Sequence, residues 1–164
     1  MSVTSRAGGT AGEIVEWVPK ELFIGGAWRP ARDGRTFDVA DPATGEVLCA
    51  VADASPEDGL AALDAAAGAQ ESWARHAPRA RGEILRAAYE LIMERREELA
   101  VLMTLEMGKP VAESRAEVGY AAEFFRWFAE EAVRVEGGYA VAPNGQGRLL
   151  VMKQPVGPSL LITP

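Results

Sequence analysis

Apolar residues recur every three or four positions in two long stretches of this chain. In residues 81–107 they are Leu85, Ala88, Ile92, Leu99, Leu102 and Met103. In residues 110–135 they are Val118, Ala121, Ala122, Phe125, Phe128 and Ala132. Because about 3.6 residues complete one helical turn, this spacing predicts two long helices, each with one apolar face. Arg95 and Arg96 interrupt the first face, so that stretch is either one helix or two.

The segment LEMGKP at residues 105–110 predicts a tight corner between these helices. Gly108 suits the left-handed conformation that often follows a helix end, because glycine has no Cβ. Pro110 suits the first turn of the next helix, where a backbone N–H is not needed. A lysine beside a glycine also occurs in phosphate-binding loops. Here the required earlier glycine is missing and Pro110 replaces the Ser or Thr, so we interpret the segment as a structural corner.

The second helix has aromatic residues on another face. Tyr120, Phe124 and Trp127 fall together at about 100° per residue, nearly opposite the apolar face described above. A surface helix needs only one apolar stripe, so a second stripe is either covered by other structure or lines a space. Aromatic residues at helical spacing are more often core than ligand wall, and both interpretations are open at this point.

Short strands are predicted in the first half of the chain. Residues 22–24 and 27–29 flank two glycines, which is a hairpin signal. Residues 36–40 and 46–52 form a second pair across a turn with Pro and Gly.

A helix is predicted after these strands. Ser55 and Pro56 are an N-cap and a first helical residue, and the helix ends near His76 and Pro78. The side expected to be apolar contains Leu60, Leu63, Ala67 and Trp73. Residues 1–20, rich in Gly, Ser and Thr, are expected to be flexible.

After residue 135 the pattern no longer predicts helices but loops and strands. Residues 137–138 and 143–147 are predicted loops and residues 149–153 a strand. The continuous apolar run at residues 160–162 predicts a central strand that is buried on both faces. Such a strand needs a crossover helix and a neighbouring strand, so we expect the chain to be an incomplete α/β fragment.

Composition narrows the possible functions. The chain has 164 residues, of which 48% are hydrophobic, which is enough for one domain that buries about 70% of its surface. The net charge of −7 and the mixed charges of ERREE at residues 94–98 argue against a nucleic-acid partner. No apolar stretch approaches the roughly 20 residues that span a membrane. The N-terminus lacks the apolar run of a secretory signal, and the single cysteine fits a reducing compartment, so we expect a cytoplasmic protein.

Cysteine and histidine, which often act in catalysis, each occur once. Cys49 lies in a predicted strand, cannot form an internal disulfide, and needs a base partner to act as a nucleophile. His76 lies in a predicted loop. We therefore interpret Cys49 as a small strand residue and His76 as a solvated one. No catalytic residue and no metal ligand is predicted in the chain.

Four motifs, in this order, resemble the N-terminal part of the aldehyde dehydrogenase superfamily. They are LFIGGAW at residues 22–28, DPATGEV at 41–47, LEMGKP at 105–110, and KQPVG at 153–157 leading to Ile162, Thr163 and Pro164. FFRWFAEE at residues 124–131 is further similar to the succinate-semialdehyde dehydrogenase branch. Pro158 departs from the Val that commonly follows the Pro-Val-Gly turn, which affects only strand geometry.

The resemblance implies the N-terminal portion of an aldehyde dehydrogenase fold: β-hairpins, long helices, then the first strand of a Rossmann-like domain. Residues 21–164 would belong to the cofactor-binding domain, truncated at Pro164. The intact enzyme would use NAD or NADP to oxidise a small-molecule aldehyde, with succinate semialdehyde the expected substrate. It would form a homo-oligomer through a β-ribbon.

The resemblance also implies site residues. Ile162, Thr163 and Pro164 would begin the segment that lies against the nicotinamide of the cofactor. Tyr120, Phe124 and Trp127 would line the substrate tunnel, because one face of this helix borders the tunnel in the family. The nucleophilic Cys and the general-base Glu of the family lie farther downstream, so the chain alone is expected to be inactive.

Two other function classes are open. The chain would be a non-catalytic association module if its strands pair with edges of other chains. It would be a separate helical binding domain if the aromatic face binds a ligand by itself. The coding frame after Pro164 discriminates between the enzyme and the association module. The residues WNFP there favour the enzyme, and a stop codon favours the association module.

Overall fold

The computed structural model describes residues 10–163. The elements follow the order α1 (Ala11–Trp17), β1 (Leu22–Ile24), β2 (Ala27–Arg29), β3 (Thr36–Ala40), β4 (Val47–Ala52), α2 (Pro56–Arg75), α3 (Pro78–Glu94), α4 (Arg96–Met107), α5 (Val111–Glu131), β5 (Gly138–Val141) and β6 (Arg148–Val151). Helices dominate, and the strands form three separate antiparallel hairpins within the described part of the chain.

The core lies where α5 packs against α3 and α4. The most buried residues there are mainly small: Ala100, Ser114, Val118, Ala122 and Ala129. Gly82 of α3 is also buried, and a Cβ added to it would lie 2.6 Å from the carbonyl oxygen of Ala129. Small side chains let helix axes approach closely, so this packing depends on the absence of bulk.

The predicted corner between the long helices is confirmed. Gly108 ends α4 in the left-handed conformation, with φ of 72°, and its N–H donates to the carbonyl oxygen of Thr104 at 2.8 Å. Pro110 is the N-cap of α5, one position before the helical turn predicted for it. The hydroxyls of Thr104 and Ser114 lie 2.9 Å apart, which joins α4 to α5 beside the corner.

The stretch before the corner is two helices. They separate at Arg95, whose φ of −98° and ψ of 16° are not helical. The Arg95 guanidinium lies 3.9 Å from the centre of the Trp17 ring, and its Nε lies 3.2 Å from a carboxylate oxygen of the buried Glu98. Contacts with α1 and α4 therefore accompany the break that the apolar pattern left open.

The two hairpins predicted in the first half are confirmed. Gly25 and Gly26 have φ of 63° and 84°, and positive φ at both positions matches the twist of a two-residue hairpin turn. In the second hairpin the register shifts between Val39 and Ala40. Cys49 lies in β4 opposite Val39 and is half-buried.

The start predicted for α2 is also confirmed. Ser55 Oγ accepts the N–H of Asp58 at 3.2 Å, and Asp58 Oδ2 accepts the N–H of Ser55 at 3.0 Å. These reciprocal bonds form a capping box, with Pro56 at the first helical position. The chain leaves the helix at His76, as expected.

The side of α2 that was predicted to be apolar is largely exposed. Leu60 is 61% exposed and Leu63 is 54% exposed, because α2 packs little against the other described elements, and its contact with β1 is small. Neither α2 nor any other helix in residues 10–163 is long and apolar enough to cross a lipid bilayer.

Part of the N-terminal segment expected to be flexible is an ordered helix. Thr10 and Glu13 form a capping box at the start of α1, and Ile14 is only 3% exposed. The ammonium of Lys20 donates to carbonyl oxygens near the end of this helix. Capping at both ends and burial of Ile14 against α4 stabilise a helix that is too short to persist alone. Residues 1–9 of the expected segment lie outside the described residues.

The C-terminal predictions need two corrections. Gly138, predicted in a loop, begins β5, which pairs with β6. The run at residues 160–162, predicted as a central strand, has no strand structure, and its side chains are between 81% and 87% exposed. A strand needs hydrogen-bonded neighbours, and no described strand pairs with this run.

Candidate functional site

The three aromatic residues predicted to share a face of α5 do so. Tyr120, Phe124 and Trp127 are 67%, 49% and 66% exposed. The rings of Tyr120 and Phe124 meet edge to face, with their centres 5.0 Å apart. Together with Glu123 and Phe128 they line a concavity of about 340 Å³, which we call the aromatic concavity. Within this chain the face is an open wall, since no described residue covers it.

The opposite face of α5 holds the helix in the fold. Val118, Ala122 and Ala129 are buried there against α3 and α4. Three residues predicted on that packing face, Ala121, Phe125 and Phe128, are exposed instead. Of these, Ala121 and Phe128 lie at the edge of the predicted stripe. Phe128 borders the aromatic concavity, so it belongs with the wall.

One ion pair lies beside the aromatic concavity. Arg126 Nη2 is 2.7 Å from Glu123 Oε2, one turn apart on α5. The guanidinium of Arg126 also lies 5.7 Å from the centre of the Tyr89 ring on α3. The sequence analysis assigned Phe128 to the packing face and did not include Glu123 in the candidate site, although Glu123 follows Tyr120 by three positions and so shares its side of the helix.

A second, larger concavity continues from the first. Trp127 and Phe128 border both, and the second has a volume of about 630 Å³. Its walls come from the end of α2, the beginning of α3 and the segment after β6, which contributes Lys153. Arg134 pairs with Glu131 at 3.4 Å on its rim. The aromatic face of α5 therefore borders both concavities.

The structure does not bring Cys49 and His76 together. Cys49 borders a cavity of about 710 Å³ between α1 and β4, and its thiol has no hydrogen-bond partner among the described residues. Nδ1 of His76 lies 2.9 Å from the carbonyl oxygen of Ser72, at the end of α2. No nucleophile–base pair forms from these two residues. Among residues 10–163 no three His, Cys, Asp or Glu side chains are grouped to hold a metal ion.

The residues predicted to contact the cofactor lie in extended chain after β6. Ile162 is 87% exposed, and Thr163 is also exposed. Neither has a partner within the described chain that positions it. Pro164 lies outside the described residues. Their role towards a cofactor stays a prediction.

One buried carboxylate, that of Asp58, has a structural role and does not line the aromatic concavity. Asp58 is 3% exposed and accepts the N–H of Arg32 at 3.1 Å. This bond and the bonds from Ser55 lower the pKa of Asp58 below its usual value, and Arg29 adds to the effect from 3.9 Å. Asp58 thereby ties the loop after β2 to the beginning of α2.

The sequence of this chain is similar to that of known enzymes. Residues 28–164 match the aldehyde dehydrogenase family. The chain is 58% identical over 118 residues to a succinate-semialdehyde dehydrogenase from Paenarthrobacter nicotinovorans, covering 72% of this chain and 26% of that protein. It is 43% identical over 150 residues to succinate-semialdehyde dehydrogenase [NADP(+)] 1 from Schizosaccharomyces pombe, covering 92% and 30%. The chain therefore spans less than a third of the length of these relatives.

Solved structures agree with the sequence matches. Succinate-semialdehyde dehydrogenase from Burkholderia pseudomallei superposes with a TM-score of 0.80 at 39% identity, over 84% of this chain and 28% of that one. Betaine aldehyde dehydrogenase from Staphylococcus aureus in complex with NAD+ gives 0.78 at 32% identity, over 81% and 27%. The expected α/β class, as part of an aldehyde dehydrogenase fold, is confirmed. Because the family match covers residues 28–164, which is most of the chain, the chain belongs to the aldehyde dehydrogenase family.

Proposed function

We propose that this chain is the N-terminal part of an NAD- or NADP-dependent aldehyde dehydrogenase that oxidises succinate semialdehyde to the carboxylate. One observation carries the proposal: the aromatic concavity lies on α5, within a chain that matches succinate-semialdehyde dehydrogenases over most of its length. Tyr120, Phe124 and Trp127 would form a wall of the passage that admits the aldehyde. An apolar wall excludes water from a short carbon chain and favours one orientation of the carbonyl.

The residues available for a cofactor are compatible with a nicotinamide dinucleotide. Ile162 presents an exposed apolar side chain suited to a flat ring, and Thr163 supplies a hydroxyl able to hydrogen-bond an amide. When bound, such a cofactor accepts a hydride from the substrate carbon. We propose that Ile162, Thr163 and Pro164 contribute to holding it, while α5 contributes the substrate wall.

We further propose that the 164-residue chain alone has no aldehyde-oxidising activity. Oxidation to a carboxylate through a thioester requires a thiolate and a base that activates water. Cys49 has neither a base nor an ion-pair partner among the described residues, and it borders a different cavity from the aromatic concavity. The chain would then act in a cytoplasmic homo-oligomer of the whole enzyme.

One feature supports the association module as a second candidate. All residues of β5 and β6 are exposed, including Leu149, Leu150 and Val151. A two-stranded hairpin with apolar side chains in solvent is a surface suited to pairing with another chain. In the enzyme this hairpin would serve the homo-oligomer, whereas in the alternative it would be the whole function.

A chimera tests the proposal. The segment of the S. pombe enzyme that matches this chain is replaced by the corresponding residues of the chain, which at 150 matched residues include the whole of α5. The chimera is expected to oxidise succinate semialdehyde with NADP+, measured by the absorbance of NADPH. The purified 164-residue chain is expected to show no activity under the same conditions.

Two controls make the result decisive. The chimera's melting temperature and oligomeric state show whether it has folded and assembled like the parent enzyme. A folded, assembled chimera without activity would contradict the proposal that this chain supports the reaction. Activity of the chain alone that disappears in Cys49→Ala would contradict the proposed inactivity.

A further inference from the structure

The aromatic concavity has one charged residue among the five that line it. Glu123 lies between the aromatic wall and Arg126 on the surface of α5, and the other four lining residues are Tyr120, Phe124, Trp127 and Phe128. Aromatic faces carry partial negative charge, and a bare carboxylate beside them would favour cations and repel anions. The pairing of Glu123 with Arg126 at 2.7 Å opposes that preference.

The exposed Glu123–Arg126 pair affects the charge that an approaching molecule meets more than it affects the stability of the fold. Its side chains are 51% exposed for Glu123 and 57% exposed for Arg126, and exposed ion pairs contribute little to stability. Of the other acidic residues of α5, Glu117 pairs with Lys109 and Glu131 pairs with Arg134. Glu113 and Glu130 have no ion pair among the described residues, but neither lines the aromatic concavity or the larger concavity beside it. The charge balance at the concavity itself therefore depends on Arg126.

We propose that the Glu123–Arg126 pair determines the charge selectivity of the aromatic concavity. Arg126 neutralises the carboxylate that faces the concavity, so that an aldehyde with a distant negative charge approaches without repulsion. Without Arg126 the same wall becomes selective for cationic aldehydes. This inference rests on the proposed function, because it takes the concavity as the route of the aldehyde. It identifies Glu123 and Arg126 as specificity-determining residues that need not touch the reacting atoms.

The first experiment uses the chimera and three aldehydes of different charge. Succinate semialdehyde is anionic, butanal is neutral and betaine aldehyde is cationic. In Arg126→Gln the ratio of kcat/KM for succinate semialdehyde to that for butanal is expected to fall by roughly threefold to tenfold, as for a unit charge at several ångströms in a partly solvated site. Glu123→Gln is expected to raise the ratio. Betaine aldehyde is expected to respond in the opposite direction in both variants.

Ionic strength and a matched control separate this role from a structural one. Near 1 M salt screens charges beyond about 3 Å, so the change in ratio is expected to disappear there. Arg86→Gln is the control, because Arg86 pairs with Glu90 at 3.3 Å on the exposed surface of α3 and lines neither concavity next to α5. Its ratios are expected to equal those of the unmodified chimera. Unchanged ratios in both Arg126→Gln and Glu123→Gln would overturn the inference.

A second experiment needs no enzymatic activity. In the 164-residue chain, the contribution of Trp127 to fluorescence is obtained by comparing each variant with the same variant carrying Trp127→Phe. Quenching of Trp127 by iodide is expected to weaken in Arg126→Gln, and quenching by caesium is expected to strengthen, each by roughly 1.5-fold to twofold at low salt. Acrylamide, which is neutral, is expected to quench equally.

The two experiments separate two failures. A chimera inactive with all aldehydes counts against the proposed function, while the quenching measurement still decides the charge balance. Iodide and caesium quenching that do not change in Arg126→Gln would overturn the inference even if the chimera is active.

Discussion

The two faces of α5 differ in residue size and in burial: the smaller residues lie on the buried face and the larger ones on the exposed face. On one face Val118, Ala122 and Ala129 are almost completely buried, although two of them are alanines. On the other face Tyr120 and Trp127 are about two-thirds exposed, although they are among the largest side chains in the helix. The tightest packing in this chain is therefore formed by its small residues.

Close approach of helices explains the difference. Gly82 of α3 lies against the backbone of α5 at Ala129, which leaves no space for a large side chain at that contact. The aromatic side chains cannot fit there, so they lie on the face that points away from α3 and α4. A helix that is anchored by small residues is free to offer its large ones to a ligand or to another part of the protein.

The sharpest way to break this comparison is to place the same charge on two adjacent residues of α5, one buried against the neighbouring helices and one exposed at the edge of that face. Ala122→Asp would bury an unpaired carboxylate and is expected to destabilise the chain by about 3–5 kcal/mol. Ala121→Asp places the carboxylate on the exposed side and is expected to cost less than about 1 kcal/mol. Urea unfolding followed by circular dichroism measures both. Equal losses would show that Ala122 is not buried more tightly than the exposed edge of the helix.

A matched pair of glycines tests the close approach itself. In Gly82→Ala the new Cβ would clash with the carbonyl of Ala129, so a loss of about 1–3 kcal/mol is expected despite the better helix propensity of alanine. Gly119→Ala lies in α5 with nothing within 4 Å of the new Cβ, and a gain of about 0.5–1 kcal/mol is expected. Thermal unfolding distinguishes the signs. A stabilising Gly82→Ala would contradict the packing described here.

The aromatic face is tested by Phe124→Ala. Because Phe124 is half-exposed, the free energy of unfolding is expected to fall by less than about 1 kcal/mol, against about 3–5 kcal/mol for a fully buried Phe. In the active chimera the same change is expected to alter the kcat/KM ratio between short and long aldehydes by about 1–3 kcal/mol. A large fall in melting temperature with unchanged ratios would assign this face to the core of the assembled enzyme.

The smallest effect concerns Asp58 and appears only in acid. Its pKa in the folded chain is lowered, chiefly by the Arg32 N–H, so its contribution to stability is present above the unfolded pKa of about 3.9. That contribution is lost as the pH falls through the folded value. The melting temperature of the unmodified chain is expected to decrease more steeply between about pH 5 and pH 2 than that of Asp58→Asn.

Asp64→Asn provides the control for Asp58, because Asp64 is an exposed carboxylate on the same helix. Its acid profile is expected to follow that of the unmodified chain. Parallel profiles for Asp58→Asn and the unmodified chain would show that the capping box does not respond to protonation of Asp58.

Local features were predictable because short-range interactions decide them. The positive φ of Gly25 and Gly26, the cap at Ser55 and the left-handed Gly108 each follow from the steric and hydrogen-bonding properties of a few neighbouring residues. The aromatic residues of the candidate site were predicted to share a face because helical periodicity alone places them there. The motifs of the chain were likewise sufficient to identify the family, which the comparisons confirm.

Features that depend on distant partners were decided only by the tertiary structure. The spacing of residues in α5 gave two apolar stripes, and the approach of α3 and α4 determined which one is buried. The break at Arg95 accompanies its contacts with Trp17 and Glu98, and Ile14 is buried because α4 offers it a surface. Residues 160–162 have the composition of a central strand but remain unpaired. A sequence specifies which surfaces are apolar, whereas burial requires a second surface in contact with the first.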